Sequence, residues 1–277
     1  MLTPTGALVA DAAKAGRGLA AFNVITVEHA EAIVAGAERA GLPVILQISQ
    51  NAVKFHGWRL GPIAAATAAV ADLAGVDVAL HLDHVEDADL MRQAPDHRFG
   101  SVMYDASKLD YDANVRATAE AAAFCHAHGL WLESELGEVG GKDGAHAPGV
   151  RTDPAEARDY VAATGVDALA VAVGSSHAMT DRTAALDHDL IARLRDAVPV
   201  PLVLHGSSGV PDGELAAAVA AGMVKVNIGT ALNIAFTGAV REVLADDKLV
   251  DPRKYLAPAR DAMADTVAHF LAVLAGR

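Results

Sequence analysis

Short apolar runs, repeated along the whole chain, constrain the fold more than any other feature. Runs rich in valine, isoleucine and leucine recur at residues 18–23, 43–49, 77–82, 100–104, 130–135, 167–173, 201–205 and 224–228. Each is only a few residues long and nearly continuously apolar. That is the pattern of a strand buried on both faces, as in a parallel sheet. Alanine-rich stretches of helical periodicity fill the gaps, at 27–40, 63–73, 153–164, 187–197, 213–221 and 261–275. Gly41 and Gly75 stand where helices should stop. Thr152 reads as an N-cap and Pro154 as the first turn of the third helix.

Eight strands, each followed by a helix, within about 250 residues fit a (β/α)8 TIM barrel. The competing architecture, an open doubly wound sheet, calls for a glycine-rich fingerprint after the first strand. Here Val24-Ile25-Thr26 stands instead. No linker or change of composition divides the chain, so residues 1–277 are expected to form a single barrel domain.

Composition narrows the function. The chain is 52% hydrophobic and 21% charged, which excludes a disordered protein. Its single cysteine, Cys125, excludes a disulfide scaffold. A net charge of −13 with no basic run argues against nucleic acid, whose phosphates need clustered lysine and arginine. No apolar stretch approaches the ~20 residues of a membrane span. Residues 1–14 lack a basic start followed by an apolar run, so no secretory signal is read and a cytoplasmic location is expected.

In such a barrel the chemistry lies at the C-terminal ends of the strands. The runs end in Ser49, then His81-Leu82-Asp83-His84, Asp105 and Ser107, Glu133 and Glu135, Gly174-Ser175-Ser176-His177, His205-Gly206-Ser207-Ser208-Gly209, and Asn227-Ile228-Gly229-Thr230. Histidines at three ends, with carboxylates between them, suit a zinc ion that keeps one position open. His81 and His84 compete for one ligand role. Strand alternation puts His81 and Asp83 on one side and turns His84 away, unless the strand has ended by then. Gly206, Ser208, Gly209, Gly229 and Thr230 supply the small residues and hydroxyls of a phosphate cradle after the last two strands. The glycine-rich stretch 137–149 reads as a lid. Lys225 alone among the lysines near strand ends, which include Lys108 and Lys142, has an inward position within a strand.

The stretches AFNV, HLDH, SVMYDAS, ELGEVGG, GSSH, LHGSSG and KVNIGT, in this order, resemble the class II, zinc-dependent ketose-bisphosphate aldolases of the fructose- and tagatose-bisphosphate type. The resemblance runs from about Phe22 to Met263. It implies a lyase that reversibly splits a phosphorylated ketose into dihydroxyacetone phosphate and an aldehyde. It implies zinc, one ion per subunit, on His84, His177 and His205, with a monovalent cation as an accompanying ion. Asp105 and Glu135 match acidic positions around the metal. Asp83 matches the aspartate that exchanges a proton with the C4 oxygen. The dihydroxyacetone-phosphate site falls on Gly206, Ser208, Asn227 and Thr230, and Ser49 matches a serine at the far end of the substrate. A homodimer or homotetramer is implied as well.

The chain departs from the family pattern in places. Asp143 stands where a loop glutamate takes the substrate proton, and Ala178 where a glycine follows the second zinc histidine. Gly229 stands where fructose-specific members carry Asp or Asn and tagatose-type members a small residue. Asn233 aligns with a basic residue that binds the far phosphate. Arg260, in a segment like that of some fructose-bisphosphate members, is the remaining candidate for that contact. The dihydroxyacetone-phosphate half therefore keeps the pattern while the aldehyde half is altered.

Overall fold

A computed structural model describes residues 2–136, 150–176 and 179–277. The strands β1 (Leu19–Asn23), β2 (Val44–Ser49), β3 (Val78–Val85), β4 (Ser101–Tyr104), β5 (Trp131–Glu135), β6 (Ala168–Ala170), β7 (Leu202–Leu204) and β8 (Met223–Ile228) close into a barrel in chain order. Every pairing is parallel, and β8 returns to β1. The expected (β/α)8 barrel is the observed fold.

Helix α1 (Thr5–Lys14) precedes β1, and α2 (Val27–Ala40) follows it. The loop after β2 carries α3 (Gln50–Phe55) and α4 (Leu60–Asp72), and β3 is followed by the short α5 (Ala88–Met91). Then come α6 (Tyr111–Ala127), α7 (Pro154–Thr164), α8 (His188–Ala197), α9 (Asp212–Ala221), α10 (Thr230–Val243) and α11 (Pro252–Leu274).

Alternation along the strands explains both the apolar runs and the site. One set of positions, including Phe22, Leu46, Leu80, Val102, Leu132, Leu169, Leu204 and Val226, packs against the helices in the main core. The other set faces the barrel axis. Its lower layer, Leu19, Ala21, Ile45 and Ala79, packs on Leu8, Val9 and Ala12 of α1. Helix α1 thereby closes the N-terminal end of the barrel. Higher up the same inward register carries Asn23, Gln47 and His81 side by side, then Ser49 beside Asp83. A buried aliphatic side chain contributes roughly 1.5–3 kcal/mol, so the outer layer supplies the stability that an inner polar layer cannot.

Some local expectations needed correction. The N-cap of α7 is Asp153, whose carboxylate accepts from the Ala155 and Glu156 amides. Thr152 instead exchanges hydrogen bonds with Ala172. The run at 167–173 forms a ladder only over Ala168–Ala170, because the next amides bond Val203 O and the Thr152 hydroxyl. The last helix starts well before residue 261, capped by Asp251, and passes through Pro258. Trp58 is half exposed. Trp131 packs against the inner layer above α1. His126 and His128 are not paired with each other, and bond Asp167 and the Phe124 carbonyl respectively.

Candidate active site

A cavity of about 620 Å³ opens at the C-terminal rim of the barrel, between the loops after β1, β2, β3, β4, β7 and β8. Ser49, Asp83, His84, Asp105, Gly206, Ser208, Asn227 and Thr230 all line it. Glu135 lies just beneath, buried, with Oε2 3.9 Å from His205 Nδ1. His177 and Asp143, with Ala178 and the whole of 137–149, lie outside the described residues. Arg260 pairs with Glu31 of α2, Nη1 to Oε2 at 2.7 Å, and does not line the cavity.

The backbone of β3 answers the question left by His81 and His84. The strand runs on to Val85, but its register on β4 shifts between Leu82 and Val85, and His84 has φ 48°. A left-handed conformation at a non-glycine residue is uncommon. Here it turns His84 back over the rim beside Asp83 rather than out toward the helices. The His84 ring meets that of His205 edge-on, centroids 4.8 Å apart. His81 stays inside the barrel, with Nδ1 2.8 Å from Ser101 Oγ and Nε2 3.8 Å from Asp83.

Each rim histidine has a carboxylate behind it. His84 Nδ1 is 3.1 Å from Asp105 Oδ2, and Asp105 Oδ1 accepts from the Ser107 amide and hydroxyl. His205 Nε2 is 2.9 Å from Glu133 Oε1. Sequence reading named Glu133 among the strand-end residues but gave it no role. Its signal was parity: it lies two residues before Glu135 on the same strand face.

The electrostatics follow from crowding carboxylates in a buried place. Burial works against charge on His84, but Asp83, then Asp105 and Glu135, raise its imidazole to about 10. Burial also pushes Asp105 upward, yet His84 and Ser107 hold its carboxyl well below the usual range. Burial raises the Asp83 carboxyl, with His84 and Lys225 offsetting part of the rise. Burial and then the Lys225 charge lower His81 well below its ordinary value, so it is a neutral imidazole.

The donor set fits a divalent cation. Asp83, Asp105, Glu133 and Glu135 surround one lysine and the imidazoles. The surplus negative charge that keeps a proton on His84 is the charge a cation would meet. Ligand histidines with a carboxylate on the far nitrogen are the usual supporting arrangement of zinc. Among the described residues no trio of donors closes a complete metal site. The third expected ligand, His177, is not among those residues.

The two loops expected to cradle phosphate pack closely against their neighbours. Gly206 has φ 67°, and a Cβ there would collide with the Ser176 backbone, so only glycine fits. Ser208 Oγ accepts from the Ala231 amide at 3.0 Å, joining this loop to the first turn of α10. A Cβ on Gly229 would lie 2.7 Å from Asn23 Oδ1. Asn23 also accepts from Gln47 Nε2 at 2.9 Å. Asn23 and Gln47 line the cavity but were not singled out from sequence. Ser49 caps α3 by accepting from the Ala52 amide, and its hydroxyl still has a proton to donate into the cavity.

Comparison with known proteins gives the family. The family model for class II fructose-bisphosphate aldolase matches residues 3–276. The chain belongs to the class II fructose-bisphosphate aldolase family. It is a metal-dependent aldehyde-lyase, acting on a phosphorylated ketose to give dihydroxyacetone phosphate and an aldehyde. A fructose-bisphosphate aldolase of Geobacillus stearothermophilus is 40% identical over 250 residues, 89% of this chain and 87% of that one. One from Thermus caldophilus is 38% identical, with 91% of each chain covered. The crystal structure of the YdjI aldolase from Escherichia coli K12 superposes with a TM-score of 0.87 at 32% identity, covering 99% of this chain and 97% of that one. No helix among the described residues is long and apolar enough to cross a membrane.

Proposed function

We propose that this aldolase is zinc-dependent and cleaves a ketose of the fructose- or tagatose-1,6-bisphosphate kind to dihydroxyacetone phosphate and an aldehyde such as glyceraldehyde 3-phosphate. One observation carries the reading: two histidine rings meet at the rim beside a buried aspartate, and each is braced from behind by a carboxylate.

His84 and His205, with His177, would hold one zinc ion per subunit. Nδ1 of His84 lies against Asp105 and Nε2 of His205 against Glu133, the carboxylate support that would orient both imidazoles toward the ion. Zinc, when bound, supplies Lewis-acid stabilisation for the enediolate of dihydroxyacetone phosphate. Asp83 takes the proton of the C4 hydroxyl as the C3–C4 bond breaks, and the bonding electrons stay on C3. Its raised carboxyl suits a group that must carry a proton. Asp143 returns a proton to C3, the role of the glutamate it replaces. Gly206, Ser208 and Thr230 hold the near phosphate with backbone and hydroxyl donors, Asn227 orients the enediolate end, and Ser49 meets the far end. Arg260 would have to leave Glu31 to reach a far phosphate. A monovalent cation could share the phosphate cradle. We read residues 1–277 as one cytoplasmic domain, and the family resemblance alone implies a homodimer or homotetramer.

A second reading concerns the aldehyde. Among the described residues the outer wall of the cavity is Ile25, Gln50, Phe55 and Asn233, with Glu86. Neutral and acidic side chains suit an aldehyde partner without a phosphate. The test measures dihydroxyacetone phosphate release by purified, zinc-loaded protein from fructose 1,6-bisphosphate, tagatose 1,6-bisphosphate and fructose 1-phosphate. Chelator-sensitive release that disappears in Asp83→Ala is expected. Protein that holds zinc yet releases nothing from any of the three would overturn the proposed substrates.

A further inference from the structure

Lys225 has no part in the chemistry above, yet it sits at the centre of the barrel. It lies on β8, level with Leu19 of β1, and is fully buried. Its Nζ is 2.8 Å from Glu133 Oε2 and 2.7 Å from Asn227 Oδ1. It does not line the cavity, so it has no contact from which to attack a substrate carbonyl.

An ammonium donates hydrogen bonds and accepts none. That asymmetry fixes two neighbours at once. Glu133 meets the lysine through Oε2 as an ion pair, which keeps it ionised, and turns Oε1 to His205; an ionised carboxylate only accepts, so His205 carries its proton on Nε2. Asn227 must give the lysine its carbonyl oxygen, so its NH2 group faces the other way. Nδ2 then lies 3.5 Å from Asp83 Oδ1. Filling the space does not require a charge, since an apolar side chain of similar length would fill it without the desolvation cost. Keeping Glu133 ionised and turning the Asn227 carbonyl oxygen inward does require one.

We propose that Lys225 is a positioning residue: its buried ammonium, held between Glu133 and Asn227, sets the proton position of His205 and aims the Asn227 amide at Asp83. One lysine thus orders two arms that reach the rim from different strands, β5 to β7 and β8 to β3. The inference deepens the proposed function, since it rests on His205 as a ligand and Asp83 as the proton carrier.

The test is Lys225→Met in the full-length protein, with three readouts: circular dichroism, zinc affinity by competition with a chromogenic chelator, and kcat and KM for cleavage. We expect a folded variant whose zinc affinity falls about 10–100-fold, the usual loss when a supporting partner of a ligand is removed. We expect kcat to fall at least as far, with KM nearly unchanged because the phosphate cradle is untouched. A filler role would lower thermal stability and leave zinc affinity alone. A folded variant with wild-type zinc affinity and kcat overturns the proposal. A second measurement needs no variant: ¹⁵N NMR of the zinc-free wild-type protein, expected to show the His205 proton on Nε2. A proton on Nδ1 overturns the proposal even if Lys225→Met does not fold. Wild-type protein without chelator-sensitive cleavage would instead count against the aldolase assignment, so the two failures are told apart.

Discussion

Replacing a helical glycine with alanine should have opposite signs at two places in this barrel. Gly36 lies inside α2 and Gly238 inside α10. In an open helix the change gains roughly 0.5–1 kcal/mol, because glycine loses more backbone freedom on folding. Gly238 meets that condition, with nothing within 4 Å of an added Cβ. At Gly36 the added Cβ would lie 2.5 Å from the carbonyl oxygen of Ala264 and 2.6 Å from Val267 Cβ, both on α11. Carbon contacts are comfortable only near about 3.5–4.0 Å. The two helices would have to part by on the order of 1 Å along a seam that buries Ile33, Ala37, Ala264 and Val267. Overpacking costs about 1–3 kcal/mol, which outweighs the propensity gain. Gly36→Ala should therefore destabilise by about 1–2 kcal/mol and lower Tm by roughly 2–5 °C for a chain this long. Gly238→Ala should raise Tm by roughly 1–2 °C. Calorimetry at one fixed protein concentration compares the pair. Shifts of the same sign would refute the argument that the α2–α11 approach, rather than helix propensity, decides the outcome.

Other consequences concern buried polar groups. Tyr160 OH bonds Asn114 Oδ1 at 2.7 Å and Thr118 Oγ1 at 3.0 Å, and lies 3.0 Å from Ser134 Oγ. In Tyr160→Phe, Asn114 keeps Thr118 and Ser134 keeps the Tyr104 carbonyl, so the cost should stay near 1–2 kcal/mol in urea unfolding. Asn114→Leu should cost more, because Asn114 Nδ2 donates to the Glu135 and Leu136 carbonyls at the exit of β5 and its Oδ1 accepts from Tyr160 and Thr118. Burial, with a smaller push from Asp167, raises the Cys125 thiol to about 12. The native protein should not react with a thiol reagent at pH 8 and should react fully in denaturant. Since the folded value exceeds the unfolded ~8.5, the stability that the neutral thiol contributes is present below that pH. It is lost as pH rises toward 12.

Much of this was legible in the sequence because the outward face of every strand is aliphatic and the inward face turns polar toward the strand end. Reading only the residue after each apolar run was enough to find Ser49, Asp83, Asp105, Gly206 and Asn227. The roles of Glu133 and Lys225 escaped, though both residues were noticed, since their pairing exists only once β5 and β8 face each other across the barrel. His84 was found by resemblance, not by alternation, because alternation fails at a register shift that no residue type announces. Helix α1 was not anticipated: an amphipathic stretch before the first strand carries no mark of lying under the barrel. Thr152 and Asp153 are equally good caps by composition, and only the Ala172 amide separates them.

The floor that α1 lays under the barrel has a consequence for traffic. Thr5 reaches up from it to Ser101, and Ser101 to His81, so even the lowest polar groups are spoken for by protein atoms. The barrel is a blind well. Whatever lies deepest in it enters first and departs last, and whatever lies nearer the mouth leaves ahead of it. For a molecule cut in two inside such a well, the piece seated under the rim waits for the outer piece to go. Substrate and both products therefore share the one mouth between the strand-end loops.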